Sequence, residues 1–234
     1  MDNKLYNSKN YPINRSTKLR KDGVTPKLTR SGTQKGDIHK VYPLKTEQEI
    51  HDVITYYENK IETAKTPTQK KIAGRNTVLI TVGFNVGISI ASLLSLTWKQ
   101  IIDSNGNYIE DNKGAINGHN TDKINVLKLN AVCKQAINKY IERFSINVKP
   151  DDYIFFSTKE VGGHINVQSC SNVLKEAAKA CGINRDIGAM SLQKTYAFMK
   201  IIEAQNDIAK LADLQKEFGQ INFAIVLSYF ESDE

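Results

Sequence analysis

A stretch of 23 residues without a charged side chain, residues 76–98, constrains the fold of this chain most strongly. It is long enough to cross a bilayer, which takes about 20 apolar residues. However, seven Ser, Thr and Asn side chains lie between Thr77 and Thr97, and Gly83 and Gly87 interrupt the stretch. That much polarity removes the apolar excess that membrane insertion needs. The stretch therefore predicts two buried helices that meet near Gly87, and we expect no contact with a membrane.

The positive charge of the chain is concentrated at its start. Residues 1–45 contain eleven Lys and Arg against three Asp, whereas residues 46–234 contain 21 basic and 22 acidic side chains. Scattered Gly, Pro, Ser and Asn without periodicity predict a flexible basic N-terminal arm over residues 1–45, followed by a folded domain over residues 46–234. Such an arm is typical of proteins that bind a polyanion, most often nucleic acid. The alternative is a solubilising tail. The candidate DNA contacts in the arm are its cationic side chains Arg15, Lys18, Arg20, Lys21, Lys27 and Arg30.

Several classes of protein are excluded by the absence of their motifs. The cysteines Cys133, Cys170 and Cys181 form no CxxC pair, which argues against a zinc site or a disulfide scaffold and fits a reducing cytoplasm. The first residues contain no apolar segment typical of a secretory signal. The chain has no phosphate-binding GxxxxGK[ST] or GxGxxG motif and no zinc-binding HExxH motif. We therefore expect no cofactor and no metal.

Helical signals dominate the domain. Residues 46–49 (Thr-Glu-Gln-Glu) form a capping box before apolar residues at helical spacing. The turn signal Asn105-Gly106 and the β-rich residues 123–129 predict a small antiparallel sheet of two or three strands within residues 100–129. Residues 153–156 predict a short buried strand or extended segment. The further predicted helices cover residues 69–85, 89–96, 130–144, 167–181, 191–205 and 208–218, and a last one ends at Phe230. The fold class is therefore α+β, mainly α.

Three segments resemble motifs of the tyrosine recombinases, the phage integrase family. Residues 85–98 (NVGISIASLLSLTW) are similar to its first motif, N-x-G-x-R-x-x-E-L-x-x-L-x-W, and residues 189–197 (AMSLQKTYA) to its second, H-x-L-R-[KH]-T. Residues 218–220 (FGQ) and 227–230 (LSYF) are similar to the closing pattern L-G-H…Y. The resemblance runs in order from about residue 43 to 230. It implies the helical catalytic-domain fold of that family, with a small antiparallel β-sheet.

The residues that carry the family's chemistry are mostly replaced. The resemblance places Ser89 and Gln193 at the two arginine positions and Ser92 at a glutamate position, while Met190 and Gln220 stand at histidine positions. The hairpin lysine matches Lys123, although an ungapped pairing puts Asn120 there instead. The family's nucleophile position retains Tyr229. The ordinary interpretation of Met190 is a core side chain, and that of Tyr229 a packed ring whose hydroxyl bonds a neighbour.

These replacements remove what phosphoryl transfer requires. The transition state concentrates negative charge on phosphate oxygens, and guanidinium groups are the donors that stabilise it. A neutral tyrosine with a pKa of about 10 is a poor nucleophile without them. We therefore expect no strand cleavage by this chain. Lys123 and Lys194 remain candidate contacts to DNA phosphates.

Three hypotheses follow for the function. The first is a double-stranded-DNA-binding protein that has lost recombinase chemistry and regulates genes, as a repressor for example, of a phage or mobile element in a bacterial cytoplasm. The second is a divergent recombinase that still uses Tyr229, with Lys123 and other groups replacing the arginines. The third is an accessory subunit that docks on a recombinase or on a phage regulatory protein. Because only five residues, three of them acidic, follow Tyr229, whereas the family usually donates a longer segment to a neighbouring subunit, we expect a monomer or weak dimer.

Overall fold

The computed structural model describes residues 41–110, 112–113, 126–205 and 207–218. This part of the chain is mainly helical, and the predicted predominance of helix is confirmed. Its seven α-helices are α1 (Glu47–Thr63), α2 (Pro67–Asn85), α3 (Ile90–Leu94), α4 (Ala131–Phe144), α5 (Val167–Ala180), α6 (Ala189–Ala204) and α7 (Ile208–Phe218). One 3₁₀ turn follows α3 at Trp98–Gln100.

Local hydrogen bonds explain where the helices begin. The Thr46 hydroxyl accepts from the backbone N–H of Glu49 and starts α1, as the capping box predicts. A second capping box, between Thr66 and Gln69, starts α2, with Pro67 in the first turn. The amide oxygens of Asn130 and Asn166 cap α4 and α5 in the same way. These caps depend on residues close in sequence, which is why the predicted helices agree with the structure to within a few residues.

The uncharged stretch forms two helices, as predicted. Most of α2 from Ala73 onward is buried, and α3 is buried along most of its length. Extended backbone at Val86 separates the two helices. Within the described residues, no helix is long and apolar enough to cross a membrane.

Helix α2 lies at the centre of this domain and packs against α1, α4 and α6. Two glycines within α2 allow close approach. A Cβ atom at Gly83 would lie 2.7 Å from Leu192 Cδ1 of α6, and one at Gly74 would overlap the Phe144 ring of α4. Because Leu192 is fully buried, it has little room to move away. Gly83 therefore sets the distance between α2 and α6.

The described strands are smaller than the predicted sheet. Strands β1 (Asn112–Lys113) and β2 (Val126–Leu127) form one antiparallel pair of only two residues each, and among the described residues nothing larger represents the predicted sheet. At the predicted Asn105-Gly106 turn, the Asp103 carboxylate accepts from the backbone N–H groups of Asn105 and Asn107. These bonds stabilise the predicted turn, and Ile102 and Tyr108 on either side of it form an isolated antiparallel bridge. Residues 114–125, which include the first three residues of the predicted β-rich segment 123–129, lie outside the described residues.

The described part of the domain begins before Thr46. Leu44 is fully buried, and residues 41–45, which the sequence assigns to the arm, make hydrogen bonds to α1, to α6 and to the segment that precedes α6. We call residues 41–45 the strap. In the predicted segment 153–156, Tyr153 and Phe156 form isolated bridges to Thr97 and His164, and the two residues between them lie in a turn. The predicted last helix, ending at Phe230, lies outside the described residues.

We predict that Gly83→Ala destabilises the protein. Overpacking against Leu192 costs about 1–3 kcal/mol, and the better helix propensity of alanine returns up to about 1 kcal/mol of it. Urea unfolding followed by circular dichroism measures the net loss, which we expect to be about 1–2 kcal/mol. The exposed position Thr68 in the same helix serves as a control, because Thr68→Ala should change stability by less than about 0.5 kcal/mol. A Gly83→Ala protein as stable as the wild type would contradict the close α2–α6 contact.

Candidate nucleic-acid interface

The first recombinase-like motif ends α2 and begins α3. Ser89, at the first arginine position, is the N-cap of α3, and its hydroxyl accepts from the backbone N–H of Ser92 at 3.1 Å. The two serine hydroxyls are 2.8 Å apart and hydrogen-bond each other. Ser92 is buried and Ser89 half-buried. The positions that resemble an arginine and a glutamate of the family thus hold a neutral hydroxyl pair that also caps a helix.

Asn85, the first residue of this motif, has a structural role. Its Nδ2 donates to the Thr81 carbonyl at 2.8 Å, and its Oδ1 accepts from Asn130 Nδ2 at 2.7 Å. Since Asn130 also caps α4, the two amides connect the end of α2 to the start of α4. The motif residues therefore hold helices together at this point.

The second motif lies on the first turns of α6, and α3 packs against this helix. Met190, at a histidine position, is 45% exposed, so its interpretation as a core side chain is wrong. Residues two apart on a helix point in nearly opposite directions, and Leu192 takes the buried side. Gln193, at the second arginine position, is half-buried and carries a neutral amide.

Lys194 holds the strap. Its Nζ donates to the Val41 carbonyl oxygen at 2.7 Å. The sequence predicts a phosphate contact for Lys194, whereas in the structure its amino group binds the protein's own backbone. The same helix provides two further side chains to the strap: Ser191 Oγ donates to the Tyr42 carbonyl at 2.6 Å, and Thr195 Oγ1 accepts from Leu44 N–H at 2.8 Å. Ser191 and Thr195 are fully buried.

An ion pair completes the attachment of the strap. The Arg185 guanidinium binds the Glu49 carboxylate of α1 and donates through Nε to the Pro43 carbonyl at 3.0 Å. Glu49 also accepts from the Lys45 N–H at 2.7 Å. Partial burial works to raise the pKa of Glu49, but the bonds from Arg185 and from the Lys45 backbone outweigh it and leave that pKa below the ordinary glutamate value. The charged form of Glu49 is therefore the one that the fold favours.

Sequence reasoning did not single out Arg75, the charged residue that borders the uncharged stretch. Its side chain is 5% exposed, and its guanidinium donates to Asn76 Oδ1 at 2.8 Å and to the Phe156 carbonyl at 2.5 Å. It also lies over the Phe156 ring, 5.1 Å from the centroid. Burial lowers the pKa of Arg75, although an arginine remains protonated in a protein. The buried Arg75 cation, bound to neutral acceptors, thus fixes the segment at Phe156 to α2.

An open cleft of about 450 Å³ lies beside the first motif, between the end of α2, the start of α4 and the middle of α6. Lys128 and Lys200 line it together with Glu110 and Tyr196. Lys200 is paired with Glu203 at 2.5 Å. Across the described ranges, no group of three His, Cys, Asp or Glu side chains is placed to hold a metal ion.

Other predicted site residues lie outside the described part of the chain. These are Tyr229, Gln220, Lys123 and Asn120, and the arm residues Arg15, Lys18, Arg20, Lys21, Lys27 and Arg30. Of the predicted positions, the structure therefore places Ser89 at the cap of α3, and Met190, Gln193 and Lys194 on the first two turns of α6, a helix against which α3 packs.

Comparison with solved structures identifies recombinases as similar in fold. XerA recombinase matches 81% of this chain with a TM-score of 0.55 and 16% sequence identity. XerH site-specific recombinase, bound to difH substrate before cleavage, matches 88% with a TM-score of 0.55 and 16% identity. Its post-cleavage complex with a palindromic difH substrate matches 86% with a TM-score of 0.57 and 17% identity.

This chain spans between 52% and 59% of the length of the recombinase chains in those three structures. No protein-family model and no curated protein matches its sequence. The similarity therefore shows the fold, which agrees with the resemblance of the sequence motifs to the tyrosine recombinases.

We predict that Glu49→Gln removes part of the stability at neutral pH. Because the folded-state pKa of Glu49 is lowered, its contribution is complete above the unfolded-state pKa of about 4.3 and is lost as the pH falls through the lower folded-state value. The variant should be less stable than the wild type by about 1–2 kcal/mol at neutral pH, and the difference should vanish in acid. Urea unfolding across a pH series measures this difference. Glu47→Gln, which changes an exposed acid two residues away, should have the same stability as the wild type across the series. A Glu49→Gln deficit that does not change with pH would contradict the assignment.

Proposed function

We propose that this protein binds double-stranded DNA through a recombinase-like body and a basic arm, performs no strand cleavage, and regulates genes of a phage or mobile element. The observation that carries this proposal is the Ser89–Ser92 pair. Its hydroxyls, 2.8 Å apart, satisfy each other and the first turn of α3 where the family has an arginine and a glutamate. The sequence resemblance identifies these two positions, and the hydrogen bonds give Ser89 and Ser92 a structural role there.

The chemistry of these positions argues against strand cleavage. Phosphoryl transfer needs cationic donors at the non-bridging oxygens, and removal of one preorganised donor costs about 10²–10³ in rate. Ser89 and Gln193 are neutral, and the exposed thioether of Met190 cannot transfer a proton. Residues that act as a unit lose activity together rather than additively. We infer that Tyr229 is not used as a nucleophile.

Two observations support DNA as the partner. The solved XerH structures that resemble this chain contain difH substrate. In addition, residues 1–45 carry a net charge of +8, from eleven basic and three acidic side chains, which attracts a polyanion strongly. The remaining residues carry a net charge of −1. The arm therefore provides most of the electrostatic affinity in this proposal.

A regulatory role follows from DNA binding without cleavage. A protein that occupies DNA and leaves the strands intact acts by excluding or recruiting other proteins. The competing hypotheses, an active recombinase that uses Tyr229 and an accessory subunit that binds a protein partner, predict different results in the two experiments below.

The first experiment measures DNA binding and its salt dependence. Purified protein recovers sheared bacterial and phage DNA, which is then sequenced, and the affinity of the most enriched duplex is measured at several salt concentrations. We expect a few enriched sites, and deletion of residues 1–40, which keeps the strap, should weaken binding strongly. If six arm cations contact phosphates, the deletion reduces the slope of log K against log salt by about five. Absence of DNA recovery, or a deletion without effect, would favour the accessory-subunit hypothesis.

The second experiment tests strand cleavage directly. The wild type and Tyr229→Phe are incubated with a nicked duplex of the enriched site and run on a denaturing gel, beside an active recombinase on its own substrate as the positive control. We expect no covalent protein–DNA band from either variant, and equal DNA affinity within about twofold, since a side chain outside the phosphate contacts contributes little. A band that requires Tyr229 would establish the recombinase hypothesis.

A further inference from the structure

An open groove of about 810 Å³ runs along helix α2, between α1 and α4. Helix α2 packs against both of these helices, so its uncharged side chains form the floor of the groove, and α1 and α4 form the walls. The residues that line the walls include Ile54, Glu58 and Glu62 of α1, and Val132, Ala136, Lys139, Glu142 and Arg143 of α4. We call this space the α1–α4 groove. Grooves between helices commonly bind a further helix.

Helices α1 and α4 run in the same direction along the groove. Residues 64–66 form a short link between α1 and α2, which pack against each other, so these two helices are antiparallel. A Cβ atom at Gly74, near the start of α2, would overlap the Phe144 ring at the end of α4. At the other end of α2, Asn85 accepts from Asn130, the cap of α4, at 2.7 Å. Helices α2 and α4 are therefore antiparallel too, and α1 is parallel to α4.

The two walls correspond to each other turn by turn. Arg143 donates to the Glu62 carboxylate at 2.7 Å, which joins α4 to α1 and shows that these two residues lie at the same level. Four residues earlier in each helix, about one turn back, Glu58 and Lys139 lie level with each other, and both are exposed. Nearer the helix starts the lining is apolar, with Ile54 on α1, and Ala136 and the 53% exposed Val132 on α4. Each wall thus has an apolar end and a charged end.

The charges of the two walls are of opposite sign. Glu58 and Glu62 make the α1 wall acidic, whereas Lys139 and Arg143 outnumber Glu142 on the α4 wall. In a two-fold interface, residue i of one copy contacts residue j of the other, and j contacts i. With a two-fold axis parallel to the helices, the basic wall of one copy meets the acidic wall of the other at the same level, and the apolar ends also meet. The groove is therefore complementary to itself, whereas an axis across it would bring like walls together.

From this correspondence we infer that the protein forms a two-fold symmetric dimer in which α4 of each copy packs into the α1–α4 groove of the other. Glu58 of each copy then pairs with Lys139 of the partner subunit, and the exposed surface of Val132 is removed from water. Apolar burial supplies affinity, and the charged rows fix the register. Because exposed ion pairs contribute little, we expect a dissociation constant in the micromolar range. The inference concerns the free protein and does not rest on DNA binding.

Exchange of the two charges tests the pairing between copies. Sedimentation velocity of the full chain, freed of nucleic acid, measures the dimer dissociation constant over a concentration series. Glu58→Lys and Lys139→Glu should each raise this constant at least about tenfold, because each places like charges together in the interface. The double variant Glu58→Lys/Lys139→Glu restores opposite charges and should return to within about threefold of the wild type. Lys159→Glu, an equal change of charge at an exposed position outside the groove, is the control and should keep the wild-type constant.

Cross-linking separates contacts between copies from contacts within one chain. Glu58→Cys and Lys139→Cys are made in separate chains, both also with Cys181→Ser, since the other cysteines, Cys133 and Cys170, are buried. The two proteins are mixed, one of them with an affinity tag, and treated with a short bis-maleimide. We expect a cross-linked band that contains one tagged and one untagged chain. Either protein alone should give much less, since in this dimer residue 58 meets residue 139 and not its own counterpart.

The dimer is supported if both single variants weaken it, the double variant restores it and the mixed chains cross-link. A wild type that stays monomeric at every concentration overturns the inference and leaves the groove to a helix of another protein. A dimer that tolerates both charge reversals, or that the double variant does not restore, overturns the packing of α4 into the groove. Should a reversal variant not fold by circular dichroism, the cross-linking result decides alone. Neither experiment contains DNA, so failure of this inference leaves the proposed function untouched.

Discussion

Helix α2 approaches α6 at Gly83 so closely that a methyl group there would overlap Leu192, and it approaches α4 at Gly74 in the same way. Protein interiors are packed as densely as organic crystals, so a change of one methyl group is transmitted to the neighbouring helices. The first motif follows directly from the end of α2, and the second lies on α6. The separation of the two motifs is therefore set by the contact of a glycine with a leucine.

Ser89 and Ser92 form a neutral hydroxyl pair at the start of α3. In the family that this sequence resembles, the positions of Ser89 and Ser92 hold an arginine and a glutamate. Loss of one member of a partly buried ion pair leaves an uncompensated charge, which is strongly destabilising. Exchange of both members for hydroxyls that bond each other leaves no such charge. The start of α3 is thus stabilised without a charged side chain at either position.

The sequence predicts the helices well because their signals are local: the Thr46 capping box, the caps at Asn130 and Asn166, and apolar residues at helical spacing. It does not predict the strap, because the bond from Leu44 to Thr195 joins residues 151 positions apart. No pattern of nearby residues indicates such a contact. Arg75 is missed for a similar reason, since its acceptor at Phe156 comes from another part of the chain. Motif resemblance identifies the position of Ser89, but only the structure gives it a partner.

The strap can fold into place only after α6 has been synthesised. Leu44 leaves the ribosome early, but its partner Thr195 is synthesised 151 residues later, which takes about 8–30 s at bacterial and eukaryotic rates of translation. During that interval the buried site of Leu44 does not exist, and the apolar side chain has no native contact with α6. Contacts between residues so distant in sequence form slowly, since a long loop must close first. Closing the strap is thus among the last steps of folding, and it joins the start of the described domain to α6.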